Sequence, residues 1–556
     1  MTDTFPSTII GPSSKERKYD RQLRLWAASG QQSLEGSRVL LVNSDGPWDK
    51  QNTGVSGVAG VETLKNLVLP GVGGFTIVDP AQVTEPDLGV NFFLEEESLG
   101  KPRAEETCRL LRELNPDVEG SFHSKPIAEL LQDPEFLPQH TLVLISGPMK
   151  RSSLDSLCTT AWELSIPVIY THSVGFYCAF SLQLPAEFPI VETHPDPETT
   201  QDLRLLNPWP ELGAAASRIS NLDSLDDHQH GHIPYILLLL HYLVKWKEAH
   251  NDTLPSNYIE KSEFRDMVRV SARTNNAESG EENFDEAVAA VMKSLNPFSL
   301  RSSIREIFDM KECKNLKPES NDFWIIAAAV KDFYLKYNEL PLPGSLPDMK
   351  AQSADYISLQ NIYKAKARKD MEEVTATARQ LEAQLSRQVP IPEKDIEIFC
   401  KNAAHIKLVR GRKIANLDGD AHTARAIRSR LADSESLMTV LFATRVLDIV
   451  VTEIQDGKRG GSALDDEATW VAHIDEAIHG LTRDDPAAID DEARERIIEA
   501  AQELRRTEGG ELHNTSALAG GLVSQEALKV LTRQYVPLDN TCVFDGVHSR
   551  SEMFRL

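Results

Sequence analysis

Between Ser37 and Asp79 the chain runs SRVLLVN, a glycine-bearing loop, VAGVETLKNLVL and FTIVD, and that order leaves few folds open. The first run is short and apolar, as a buried strand is. Val58, Val61, Leu64 and Leu67 recur every three residues and so share one face of a helix. FTIVD is a second apolar run and ends in an acid. Strand, glycine loop, helix and strand with an acidic end form the mononucleotide-binding half of a doubly wound α/β sheet. The pattern continues with a helix from about Lys101 to Leu114, stopped by Asn115-Pro116. A strand in TLVLIS, a helix near Ser153 to Leu164 and a strand in IPVIYTH follow.

After Pro185 the character changes. PAEFPIVETHPDPETTQDLRLLNPWPEL is rich in proline, and helical patterns follow it, including a stretch from Met349 to about Gln388 without proline or glycine. We therefore expect three parts. Residues 1–185 form the first part of a doubly wound, Rossmann-like α/β domain, 186–505 a large, mostly helical insertion, and 506–556 a return that completes the α/β domain. In that return, SALAGGLVSQEALKVLTRQY places Leu522, Ala527, Leu528 and Leu531 at helical spacing, and TCVFDG is a last strand. Acidic linkers are expected around 276–286 and 484–492.

Composition excludes several classes of partner. A balance of 59 Lys and Arg against 84 Asp and Glu leaves a net charge of −25, which repels a phosphate backbone or an anionic bilayer. The most apolar stretch, Ile233 to Val244, is too short to cross roughly 30 Å of hydrocarbon as a helix. The opening residues show no basic start followed by an apolar core, so no secretory signal is expected. The 6 cysteines, Cys108, Cys158, Cys178, Cys313, Cys400 and Cys542, include no CxxC pair and fit a reducing compartment. A cytoplasmic or nuclear location follows. No nucleic acid and no membrane are expected as partners.

The loop reads NTGVSGVAGVE, with Gly54, Gly57 and Gly60 three apart. That is GxxGxxG rather than GxGxxG. Such glycines either let a backbone cradle phosphates or serve turn geometry and helix–strand packing. Asp79 either holds a ribose hydroxyl or closes a turn before Pro80.

KYDRQLRLW (Lys18–Trp26), TLKNLVLPGVGGFTIVD and VNFFLEEESLGKPRAE resemble the adenylation fold of the ubiquitin-like-activating enzymes, of ThiF/MoeB type. ETHPD, DLRLLNPWPEL, FRDMVR, LPDMKAQSADYISLQNIYKAKARKD and GGLVSQEALKVLTRQ extend the likeness from about residue 15 to 545. They resemble most nearly the regulatory, non-catalytic subunits of neddylation-activating enzymes, the amyloid-precursor-binding-protein type. The resemblance implies a heterodimer with a catalytic subunit and a NEDD-type ubiquitin-like modifier. ATP and Mg²⁺ then belong to the partner, whose cysteine takes the modifier as a thioester.

Against that family this chain departs in ways that matter. Val55 and Val58 stand where competent loops carry glycine, Ala81 where a second Asp is usual, and Val90-Asn91-Phe92-Phe93 where an Arg reaches ATP. Asp79 and Lys101 survive. The resemblance therefore implies a pseudo-active half, with no cofactor bound through Gly54, Gly57, Gly60, Asp79 or Lys101, and no metal. The segment SDGPWDKQNTGVS is longer than the likeness leads one to expect. No cysteine matches the catalytic motif, and the insertion is read as a catalytic-cysteine half-domain lacking its cysteine. Cys313, flanked by lysines, reads as an ordinary surface thiol. Arg21 is expected to reach the partner's ATP in trans, with Leu23, Leu25 and Trp26 anchoring its segment. An autonomous adenylating enzyme, a nucleotide-dependent dehydrogenase and the smaller subunit of a SUMO-activating enzyme are the alternatives. DDHQHGHIP reads as a solvated loop rather than a metal site, and Lys350, Lys364, Lys366, Arg368 and Lys369 as a solvated helix face.

Overall fold

The computed structural model describes residues 13–46, 57–219, 222–274, 280–414, 421–482 and 489–556. Gly54 and Val55, with Pro47, Trp48 and Asp49 of the long loop, lie outside the described residues. The described chain forms two compact units: 1–190 with 409–556, and 191–408.

The first unit is built on eight strands: β1 (Arg38–Val42), β2 (Gly74–Val78), β3 (Glu119–His123), β4 (Leu142–Gly147), β5 (Val168–Val174), β6 (Tyr177–Gln183), β9 (Thr541–Asp545) and β10 (Arg550–Phe554). Their order is β10-β9-β6-β5-β4-β1-β2-β3. From β5 to β3 the pairings are parallel, while β6, β9 and β10 continue the sheet antiparallel. Within the parallel part β1, β2, β4 and β5 are buried on both faces, which is why they read as apolar runs, whereas the edge strand β3 is partly exposed. The chain winds outward from β1 through β2 and β3, then returns to the other side of β1 with β4. That reversal puts the topological switch point at the carboxyl ends of β1 and β4, where open α/β sheets bind ligands.

Three sequence expectations shift. The insertion was drawn to about residue 505, whereas the second unit ends at Leu408. The helices Met438–Gln455 and Asp491–Arg506 bury Val446, Leu447, Ile497 and Leu504 in one core with Val174, Ala179 and Val543 of the sheet. Periodicity shows that a helix has an apolar face but not what covers it. A buried cluster fixes the Met438–Gln455 helix further: Asp448 Oδ1 lies 2.6 Å from the Tyr170 hydroxyl and 2.9 Å from His172 Nε2.

The second shift concerns the acidic stretch near 281, which is no linker there. Glu281 is buried just before the helix Glu282–Ser294, meets His230 Nδ1 at 2.7 Å and accepts from the Arg273 N–H at 2.7 Å, so this part of the His-rich segment is packed rather than solvated. The third is Leu522, placed on the helical face with Ala527 but left 37% exposed, while Ala527 is fully buried.

The second unit is almost wholly helical, including one helix of 32 residues, Ser353–Gln384. Two short strands, β7 (Phe188–Val191) and β8 (Ile406–Val409), pair in a separate sheet. Among the described residues no helix is long and apolar enough to cross a membrane, and no cluster of His, Cys, Asp or Glu could hold a metal.

Candidate functional site

At the switch point Asn43, after β1, and Ser146 of β4 pack against the start of the Val58–Val68 helix. Gly57 caps that helix with φ +63°, a left-handed conformation that an L side chain rarely adopts. A Cβ there would lie 2.1 Å from Asn43 Oδ1, and one on Gly60 would lie 2.3 Å from Ser146 Oγ. Both glycines thus serve close packing of the helix onto β1 and β4.

The amino end of a helix presents unpaired N–H groups and a partial positive charge, a seat for an anion. Here the chain fills it itself. Val58 N–H donates to Glu511 Oε2 at 2.7 Å, and Ala59 N–H donates to Glu511 Oε1 at 3.1 Å. The Ser516 hydroxyl donates to the same Oε1 at 3.2 Å. Glu511 is 9% exposed, and Val58 and Ala59 are buried. A phosphate would need the donors that this carboxylate already uses.

Asp79 is equally committed. It is fully buried and takes Arg103 Nε on Oδ2 at 2.7 Å and Arg103 Nη2 on Oδ1 at 3.2 Å. Asn43 Nδ2 and the Ala81 N–H, each at 3.0 Å, occupy further lone pairs. Arg103 also donates to Asp87 Oδ1 at 2.9 Å. Burial by itself would lower the pKa of this guanidinium, but Asp79 and Asp87 outweigh it and hold the pKa raised. Buried paired charges of this kind fix geometry more than they bind ligands.

The remaining expected residues are dispersed. Lys101 is half exposed and lies 3.7 Å from Glu106 Oε1. In place of an Arg-bearing segment, Val90 O accepts from His513 Nδ1 at 2.9 Å, and Phe92 stacks on the His513 ring at 3.7 Å. Arg21 is exposed on the helix Asp20–Glu35 and has no ion pair among the described residues, whereas Arg24 bonds Asp20 at 2.8 Å. Trp26 is buried as expected for an anchor, but the Leu25 side chain is 56% exposed among the described residues.

The thiols are poor nucleophiles. Cys313 is buried rather than a surface residue, and burial pushes its pKa up to about 11; Cys400 is pushed up to about 12 in the same way. Glu511 and Arg103 escaped the sequence reading. Nothing local connects Glu511 to a helix 453 residues away. Arg103 left a trace, since it stands one and two turns before the buried Thr107 and Leu111.

The sequence pattern of the ThiF family matches residues 19–556. The chain belongs to the ThiF family. Its full-length likeness is more specific. It is 35% identical over 549 residues to the NEDD8-activating enzyme E1 regulatory subunit of Xenopus laevis, covering 98% of this chain and 99% of that protein. The subunit of the same name from Danio rerio is 34% identical, over 98% and 99% of the two chains. That of Saccharomyces cerevisiae is 25% identical over 97% and 100%.

Proposed function

We propose that this chain is the regulatory half of a heterodimeric activating enzyme for a NEDD-type ubiquitin-like modifier. In this reading it pairs with a catalytic subunit that holds ATP and Mg²⁺ and supplies the thioester-forming cysteine. The observation that carries the reading is the seat of Glu511 on the Val58 and Ala59 amides, which places a carboxylate where an adenylating member needs a phosphate. The Asp79–Arg103 pair supports it, because that acid is not available to a ribose or a metal. The full-length likeness to regulatory subunits named for NEDD8 activation supports the choice of modifier.

Chemistry on ATP then belongs to the partner, which adenylates the modifier's terminal carboxylate. This chain's own contribution is Arg21, which is exposed on the helix Asp20–Glu35 and has no ion pair among the described residues. In trans it stabilises phosphate charge on the partner's nucleotide.

Arg21→Ala tests this. Losing one charge-assisted contact of about 1.5–3 kcal/mol slows modifier-dependent pyrophosphate exchange roughly tenfold to a hundredfold in the mixed complex. The complex itself stays assembled, because Trp26 remains buried. Arg21→Lys recovers part of the rate, since an ammonium keeps the charge but not the fork. Every DTT-sensitive modifier adduct is expected on the partner. An adduct on this chain, or full exchange by an intact Arg21→Ala complex, would overturn the corresponding half of the reading.

A further inference from the structure

A cavity of about 1330 Å³ opens within the helical unit and shares no residue with the surroundings of Gly57 and Gly60. Its walls are mainly loops, drawn from 193–207, 254–256, 293–301, 337–345 and 401–405. Prolines such as Pro195, Pro255, Pro297 and Pro341 stiffen them.

Arg204 ties two of these loops together. Its side chain is 5% exposed, and it donates to Glu339 Oε2 at 2.7 Å, to Asp202 Oδ2 at 3.2 Å and to the Leu340 carbonyl. Its φ of +50° is left-handed, a conformation that these bonds hold in place. Among the described residues Asp202 and Glu339 are the two carboxylates of the lining, and one guanidinium engages both.

The rest of the charge is positive. Lys293, Arg301 and Lys401 line the cavity with exposed side chains. Among the described residues no carboxylate pairs with Arg301 or Lys401, and Arg301 donates to the Ala404 carbonyl at 3.3 Å. A cationic lining is out of character for a chain of net charge −25. Phe298 and Tyr337, which also line it, are 40% and 44% exposed, so aromatic surface stands in water beside the cations.

We propose that this cavity docks an extended acidic peptide segment of a partner protein that carries at least one large apolar side chain. Carboxylates of the segment pair with Arg301 and Lys401, and the apolar side chain covers Phe298. The volume exceeds the roughly 300–1,000 Å³ typical of a small-molecule pocket and suits several residues of extended chain. Charge complementarity sets the sign of the occupant.

The test uses the purified full chain and a fluorescein-labelled peptide alternating Glu and Leu, followed by fluorescence anisotropy. Saturable binding that weakens as salt is raised is expected. Arg301→Glu with Lys401→Glu weakens it by about tenfold or more, while circular dichroism and the melting curve stay unchanged because both side chains are exposed. Phe298→Ser weakens binding and leaves its salt dependence intact. Equal binding of a peptide alternating Lys and Leu overturns the proposal. So does unchanged affinity in the charge-reversed variant, or tighter binding of an oligonucleotide of matching length.

Discussion

Replacing Glu511 by Ala removes the acceptor of two backbone donors at once and leaves the Val58 and Ala59 amides at a buried helix end. Each bond to a carboxylate is worth about 1.5–3 kcal/mol. They share one side chain and are not additive, so about 3–5 kcal/mol of local stability is the working figure. Glu511→Gln keeps the shape, yet it must point an NH₂ group at one of two N–H donors, so it should lose more than half of that sum. The chain has two compact units, and a single global unfolding curve would blur a local effect. Hydrogen exchange across Val58–Val68 reads the site directly. In Glu511→Ala its first-turn amides should exchange roughly a hundredfold to a few thousandfold faster. Added sulfate should slow them again in the variant and do nothing in the unaltered chain, because the freed N–H groups form an anion seat. The variant should gain no pyrophosphate exchange of its own, since Asp79 stays bound to Arg103. Unchanged exchange rates in Glu511→Ala would refute the claim that this carboxylate holds the helix end.

Arg103→Met leaves Asp79 and Asp87 buried without their cation, and should cost about 3–5 kcal/mol in denaturant unfolding. Adding Asp79→Asn should recover part of the loss in a double-mutant cycle. Gly57→Ala forces a side chain into a φ of +63° and against Asn43, so a loss of more than about 1 kcal/mol is expected. Pairing it with Asn43→Ala should relieve the contact but not the backbone, and a complete rescue would show that φ was unimportant.

How much of this was legible depended on whether the signal was local. β1, β2, β4 and β5 are buried on both faces, so each announces itself as an apolar run. β3 is Glu-Gly-Ser-Phe-His at the sheet edge, partly exposed along its length, and no burial pattern marks it. β6 is fully buried yet carries Ser181 and Gln183. Their partners, Thr541 Oγ1 and the Cys158 carbonyl, lie far along the chain, which hides the strand from periodicity.

The site divides in the same way. Glycines at 57 and 60 report that the backbone there comes close to something, but spacing cannot say to what. In this fold the helix packs onto β1 and β4, and its open donors meet a carboxylate delivered by the short connection between the helices Asp491–Arg506 and His513–Thr532. On the proposed reading, Val58 and Ala81 weaken a phosphate cradle by removing features. Glu511 acts in the opposite sense, by adding a competitor of the right charge at the right place. A cradle that had merely lost its glycines would leave two buried N–H groups unpaired, a cost of about 1–3 kcal/mol each. The carboxylate removes that cost, so the helix end is stable without a nucleotide. A helix end laid out for an anion is thereby satisfied by a carboxylate that the chain itself carries.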